Sequence, residues 1–447
     1  MPEEILSKDL SSSPGKLPRG IPFIIGNEAA ERFSYYGMLS ILTLYLSKEM
    51  QLGNDKGKEI VHWFATAVYF LPLFGAWLAD RWLGRYWTIL SISMFYCAGH
   101  LALSVFEGNL TGVYFGLALL AIGAGGIKPC VSAFVGDQFP AGNEKGLTRV
   151  YGWFYWSINF GATFGFALIP WLRKEKGYSW AFGVPGIAMA VATLIFWLGR
   201  KRYLRQPPQR ESKQAGIFSV LFNPQNEEER ESARAIRRIF LVFLTVPVFF
   251  ALYNQVNSTW VLQGEKMTPF QVLGFNVDGE TMQAVGSILV MIWIPIMTYA
   301  LYPLAERARW RPTPLRRMAV GMVLAGITYI ISGWLQERID AGEKLNLAWQ
   351  IVPYVVLVAG EVLVSATGLE YAFAQSPRTM RSMMMSLWLL TIAGGHFLIA
   401  AFTNLNANYV KASGAKELYF YAGLMFVVTF IFMGIARWAG RHEAAKA

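Results

Sequence analysis

Twelve apolar stretches, each about twenty residues or longer, alternate with short polar loops along this chain; a helix of that length crosses the hydrocarbon core of a bilayer. They fall at 21–46, 59–79, 86–106, 110–135, 148–172, 179–199, 237–262, 281–304, 315–336, 347–374, 382–403 and 418–438. Inside lipid every backbone polar group needs a partner within the protein, so the expected class is an all-α membrane protein. The hydrophobic share of 54% over 447 residues excludes an ordinary soluble globule. The net charge of +11 is no argument for nucleic acid. Its basic residues gather in the loops between apolar runs, as in the cytoplasmic loops of membrane proteins.

Loop charge predicts the orientation. Arg81 and Arg85, the 200–238 linker, the loop with Arg307, Arg309, Arg311, Arg316 and Arg317, and the tail with Arg437 and Arg441 fall on one side, read as cytoplasmic. Both termini then lie inside, although Arg173, Lys174 and Lys176 on the outer side run against the rule. The linker holds Pro207-Pro208, the acids Glu227, Glu228 and Glu229, and a short amphipathic piece at 216–222. It predicts a cytoplasmic tail at 1–20, a six-helix bundle at 21–199, a linker at 200–236, a second six-helix bundle at 237–438 and a tail at 439–447. An internal echo, Leu78-Ala79-Asp80-Arg81 after the second span and Leu304-Ala305-Glu306-Arg307 after the eighth, supports two related halves. The polar first 20 residues and the long run after them do not read as a cleavable signal. Cys97 and Cys130 lie in apolar runs and read as buried thiols.

The first span carries three charges. Glu28, Glu31, Arg32, Tyr35, Tyr36 and Leu39 share one helix face. A charge at the bilayer centre costs on the order of 3 kcal/mol even on insertion scales, so this face looks into a bundle or a wet cavity. An ion pair that only fixes packing is the alternative reading. Two carboxylates beside one guanidinium leave one acid less well paired, and that acid can carry a proton.

Glu28-x-x-Glu31-Arg32-Phe33-x-Tyr35-Tyr36-Gly37 resembles the first-helix signature of the proton-dependent oligopeptide transporters, a branch of the major facilitator superfamily. Three further segments resemble that family: Gly75-Ala76-Trp77-Leu78-Ala79-Asp80-Arg81-Trp82-Leu83-Gly84-Arg85, Phe154-Tyr155-Trp156-Ser157-Ile158-Asn159-Phe160-Gly161, and Gly360-Glu361 through Thr367-Gly368-Leu369-Glu370-Tyr371. Likeness extends from about residue 22 to 438. It implies the major facilitator fold of twelve helices in two six-helix bundles, with one central site near the midplane. Many bacterial relatives insert two extra helices in the linker, and mammalian ones carry an external domain after the ninth span. The polar linker and the short 337–346 loop leave room for neither.

The resemblance gives roles to residues that the spacing alone leaves open. His62 and Tyr69 share a face of the second span; His62 becomes the candidate outer proton acceptor and Tyr69 a peptide contact. Lys128 sits deep in the fourth span after Gly123-Ala124-Gly125-Gly126, whose small residues admit a neighbouring helix. Its family counterpart pairs with the first-helix acids or with the peptide carboxylate, and that competition offers a coupling mechanism. Asn159, one turn from Tyr155, matches an asparagine that bonds the peptide backbone, with a helix–helix bond as the alternative. Gly161 and Gly165 read as packing only. Glu361 and Ser365 share a face of the tenth span, where an isolated carboxylate needs an external cation such as a peptide amino terminus. Trp388 matches a pocket aromatic, and Tyr253-Asn254-Gln255 with Trp260 resembles a Phe-Asp-Gln stretch.

Asp80, with Arg81 and Arg85, reads as a conformational site. The acid can accept hydrogen bonds from the N-terminus of the eleventh helix near Arg381 and Ser382. His100 and His396 have no pattern around them and read as structural. Departures from the family are Leu39 in place of a second arginine, Asn254 in place of an acid, Gly286 in place of an asparagine, and Thr259 where mammalian forms carry a gate arginine. They shift carboxylate recognition onto Arg32 and Lys128.

The expected function is proton-driven symport of di- and tripeptides into the cytoplasm of a bacterial cell, across its inner membrane. The proton is the coupling ion, without cofactor or metal, and the monomer embedded in lipid is the functional unit. A rival keeps the fold and changes the cargo to nitrate, an amino acid or another organic acid; Glu361 argues against an anion carrier. No zinc-protease helix, nucleophile elbow or phosphate loop supports an enzyme, and His442-Glu443 lacks a second histidine. A receptor that does not transport is the third reading.

Overall fold

Proline and glycine set where the helices begin and break. In the computed structural model, which describes residues 17–139, 144–208, 221–272, 274–309, 311–376, 381–410 and 412–444, α1 (Ile21–Leu44) starts with a proline in its first turn, where a missing N–H is no loss. A π-helical turn, Tyr45–Glu49, extends it. α2 runs over Asn54–Leu83 and is interrupted before Pro72. Gly84, with φ of 75°, turns the chain into α3 (Arg85–Val105). Asn109 accepts the Gly112 N–H to cap α4 (Leu110–Asp137). α5 (Glu144–Lys176) and α6 (Tyr178–Leu198) follow, divided at Gly177, whose φ is 85°.

α7 comes in four pieces: Glu227–Phe243, Val246–Tyr253, the 3₁₀ turn Asn254–Asn257, and Thr259–Gly264. A short antiparallel hairpin, β1 (Phe270–Val272) and β2 (Phe275–Val277), leads to α8 (Gln283–Arg307). α9 (Pro314–Asp340), α10 (Ile351–Gln375), α11 (Arg381–Leu405) and α12 (Ala415–Ala444) complete the chain. Ten of these helices are long and apolar enough to cross a membrane. α1 and α5 are not among them, because charges in α1 and polar and aromatic residues in α5 dilute their hydropathy. The expected amphipathic piece at 216–222 lies mostly outside the described residues. Between Asp340 and Leu347 only a short connection intervenes.

The chain divides into two compact units, Met1–Tyr45 with Ala67–Ser212, and Leu46–Thr66 with Lys213–Ala447. In the first, α1 packs on α5 and α6, α3 on α4 and α6, and the Pro72–Leu78 piece of α2 on α4. Glycine makes these approaches possible. A Cβ at Gly165 would lie 2.7 Å from the Phe33 carbonyl, and one at Gly161 would strike the Ala29 carbonyl. The α4 glycines receive α3 at Tyr96 and α2 at Leu71 in the same way. In the second unit α9 packs on α10 and α12, the Val246–Tyr253 piece of α7 on α11, and α8 on α10. Its core gathers Phe249, Trp260, Tyr329, Tyr354 and Trp388.

Candidate functional site

The charged face of α1 is buried in the first unit, with Glu28, Glu31 and Arg32 at most 9% exposed. Arg32 Nε donates to Glu28 Oε1 at 2.7 Å across one helical turn. Glu31 Oε2 lies 2.9 Å from the same nitrogen. One N–H cannot serve both acids with good geometry, and neither Glu31 oxygen has an aligned donor among the described residues. The sequence leaves open which acid is less well paired; the geometry singles out Glu31.

Lys128 of α4 stands beside this face. Its Nζ lies 4.1 Å from the ring centre of Tyr35 and 4.3 Å from that of Tyr69, and it has no hydrogen-bond partner among the described residues. The ammonium is held by aromatic faces, an electrostatic attraction of about 2 kcal/mol or more when desolvated. Tyr36 packs edge-on against Tyr35 at 5.2 Å and at a 45° tilt against Phe166 at 5.3 Å. Asn159 of α5 is nearly buried, and its amide donates to the Tyr155 carbonyl of its own helix at 3.1 Å. Glu28, Glu31, Arg32, Tyr35, Tyr36, Tyr69, Lys128 and Asn159 thus all belong to this unit.

His62 does not. Although it shares α2 with Tyr69, it belongs to the second unit, where its Nδ1 lies 2.9 Å from His396 Nδ1 of α11 and its Nε2 2.7 Å from Ser258 Oγ of α7. His396, read from the sequence as a structural histidine, is therefore the partner of the candidate proton acceptor. Local pattern could not reveal the pair, since 334 positions separate its members. His100, read from the sequence as structural, is buried and stacks on Tyr96, and neither of its ring nitrogens has a hydrogen-bond partner among the described residues.

In α10 one oxygen of Glu361 is buried without a hydrogen-bond partner among the described residues, and the Ser365 hydroxyl one turn on reaches the carboxylate. Trp388 of α11 is 2% exposed and packs edge-on against Phe243 and Phe250 at 5.2 and 5.7 Å, over Gly368. It faces neither lipid nor water. Asn254 and Gln255 lie in the 3₁₀ break of α7, and Thr259 donates to Gln255 at 2.6 Å.

The third cluster is at the α2–α3 turn. Arg85 pairs with Asp80 at 3.6 Å and, more closely, with Asp137 at the end of α4. Asp80 and Arg81 are exposed. Asp137 had no sequence signal beyond an acid at a helix end. The side chains of Arg381 and Ser382, the expected partners of Asp80, lie outside the described residues.

A family model described as the POT family matches residues 86–224 and 211–418. Solute carrier family 15 member 2 of Rattus norvegicus is 34% identical over 385 residues, 76% of this chain and 52% of the relative. Peptide transporter family 1 of Drosophila melanogaster is 35% identical over 360 residues, 72% of this chain and 48% of the relative. The chain spans about half the length of the curated relatives it matches. Among solved structures, an auto-inhibited POT family peptide transporter aligns with a TM-score of 0.88 at 38% identity, covering 94% of this chain and 97% of that one. The POT family transporter PepTSo aligns with 0.87 at 35% identity, covering 95% and 99%. These are structures of transporters with the major facilitator architecture, and the long apolar helices make this chain a multi-pass membrane protein. With a matched family model over most of its length and solved relatives aligned nearly end to end, this chain belongs to the POT family.

Proposed function

We propose that the chain is a proton-coupled symporter that imports di- and tripeptides across the inner membrane of a bacterial cell by alternating access. Both termini are cytoplasmic, lipid is its surroundings, and the monomer works without cofactor or metal, the proton being the coupling ion. The peptide carboxylate is received by Arg32 and Lys128, its amino group by Glu361 with Ser365, and its backbone and side chains by Tyr35, Tyr36, Tyr69, Asn159 and Trp388. Glu28, Glu31, His62 and Lys128 couple the proton, and Asp80, Arg81 and Arg85 bias the conformational change.

The observation that carries this reading is the state of Lys128, a buried ammonium without a hydrogen bond among the described residues, set against Tyr35 of the helix that carries the over-supplied carboxylate pair. A peptide carboxylate offers it the charged partner it lacks. Glu31, left without an aligned donor among the described residues, takes a proton at the smallest loss of bonding. An enzyme or a plain structural ion pair would not need an unpaired ammonium and a spare acid on facing helices.

Dialanine uptake into proteoliposomes with an imposed pH gradient tests the assignment. Wild type accumulates peptide above the external concentration, and Lys128→Ala and Glu361→Gln each abolish that accumulation. Concentrative uptake retained by either variant removes that residue from the site; nitrate uptake in place of peptide uptake by wild type overturns the substrate.

A further inference from the structure

We infer that His62 and His396 form one proton-binding unit in the second unit of the fold, holding a single shared proton between their Nδ1 atoms. The inference rests on the reading of the chain as a proton-coupled transporter and goes beyond it by adding α11 to the proton path. The two Nδ1 atoms lie 2.9 Å apart, a separation that requires a hydrogen between them. His62 is fully buried, His396 is 3% exposed, and Ser258 is fully buried, so bulk water does not stand in for either partner.

Counting protons shows what the pair can do. Two neutral imidazoles carry two N–H groups on four nitrogens. One lies between the Nδ1 atoms; the other is on the Nε2 of the ring that accepts. A third proton goes to the remaining bare Nε2 and gives a monocation that keeps the N–H···N contact, now charge-assisted and stronger. A fourth proton would place two N–H groups face to face at Nδ1, and the rings would have to part. The pair thus loads one proton without moving and refuses the second while it stays closed. The proton enters and leaves at an Nε2, where Ser258 Oγ at 2.7 Å from His62 serves as donor to the bare nitrogen and as acceptor to the protonated one.

The surroundings favour a single charge. Lys58, one turn before His62 on α2, is buried and held by Asp55 at 3.4 Å and Glu417 of α12 at 3.6 Å. Glu417 also accepts from Tyr421 at 2.8 Å. From α7 the pair meets Ser258, which carries no charge, and from α11 His396 itself. Ser258 stands where α7 resumes after its 3₁₀ turn, with φ of −140° and ψ of −81°, so loading the proton is read directly by a break in a helix. Such breaks often mark hinges.

The chain has four histidines, which makes the test direct. Full-length transporter labelled with ¹⁵N-histidine and held in lipid nanodiscs is expected to show a coupling across an N–H···N bond between two imidazoles, lost in His396→Phe. In proteoliposomes, His62→Gln loses gradient-driven dialanine accumulation. In His396→Phe the pH of half-maximal uptake moves toward acid by about one unit, the size expected when a charge-assisted hydrogen bond is removed. The double variant does no worse than His62→Gln, as one unit requires. Four uncoupled imidazoles in the wild type overturn the proposal even where variants do not fold. So does a His396→Phe profile that is lowered equally at every pH with an unmoved midpoint, the result of a merely structural role. Failure of wild type to take up dialanine at any pH would instead defeat the transport reading and leave the ¹⁵N result standing by itself.

Discussion

Two acids beside Arg32 do different work because a guanidinium Nε carries one hydrogen. Glu28 receives it, at 2.7 Å and aligned, whereas Glu31 has no aligned donor among the described residues and is held chiefly by charge. Glu28→Gln weakens the bonded partner of a buried cation, and thermal unfolding in detergent should report a loss of about 3 kcal/mol, the order observed on breaking buried pairs. Glu31→Gln keeps that bond, so its unfolding temperature should stay close to wild type while accumulation against a peptide gradient disappears. Equal destabilisation by both substitutions would contradict the division of labour. The α1 face itself is legible in the sequence, since periodicity and the expense of charge in lipid put those six side chains together. Which carboxylate is spare was not, because that depends on a rotamer rather than on spacing. His396 was hidden for another reason: its meaning lies in a contact with a helix far away in the chain.

Helix ends were the least legible elements. Hydropathy begins the seventh span at 237, but α7 starts at Glu227, where Asn226 accepts the Glu229 N–H at 2.8 Å and Glu229 accepts the Gln225 N–H at 2.7 Å. Those are polar capping contacts, invisible to an apolar window. Likewise α2 extends back to Asn54 through charged residues. Helix-to-helix fit, in contrast, was written in glycine. Gly161→Val or Gly165→Val forces a side chain into the α1 backbone and should lower the yield of folded protein and its unfolding temperature, by about 2 kcal/mol or more. Gly434→Ala on α12 has open space around it and should be neutral or slightly stabilising. A similar unfolding temperature for all three would mean that α5 does not depend on this close approach.

At the scale of the whole molecule, the sequence echo between halves has a structural counterpart. Arg85 opens α3 and pairs with Asp137 at the end of α4. Arg317, near the start of α9, forms a two-pronged bond at 3.0 and 3.0 Å with Glu370 near the end of α10. The same pair of consecutive helices carries the same lock in each unit, as duplication of an ancestral half would leave it. Among the described residues, neither ion pair includes a residue assigned to peptide. Arg85→Ala and Arg317→Ala should therefore lower the maximal uptake rate about five-fold or more while KM for dialanine stays within about two-fold, the signature of a conformational step. A large rise in KM with an unchanged maximal rate would place these pairs in recognition instead. The division into six-helix halves was predicted from one polar linker; the structure adds that residues 46–66 pack with the second unit, a grouping that linear order gives no way to foresee.

Lys128 rests against two tyrosine faces and lacks a directed bond among the described residues. A ring attracts charge over a broad area and demands no particular angle, so an ammonium parked there can slide by an ångström with little resistance. If Lys128 receives the cargo's acid group as proposed, the carrier gains tolerance: an acid group that arrives slightly high or low, as the residues on either side of it change in bulk, still finds the cation waiting. Under the proposed function, breadth of diet then comes from a soft anchor at Lys128.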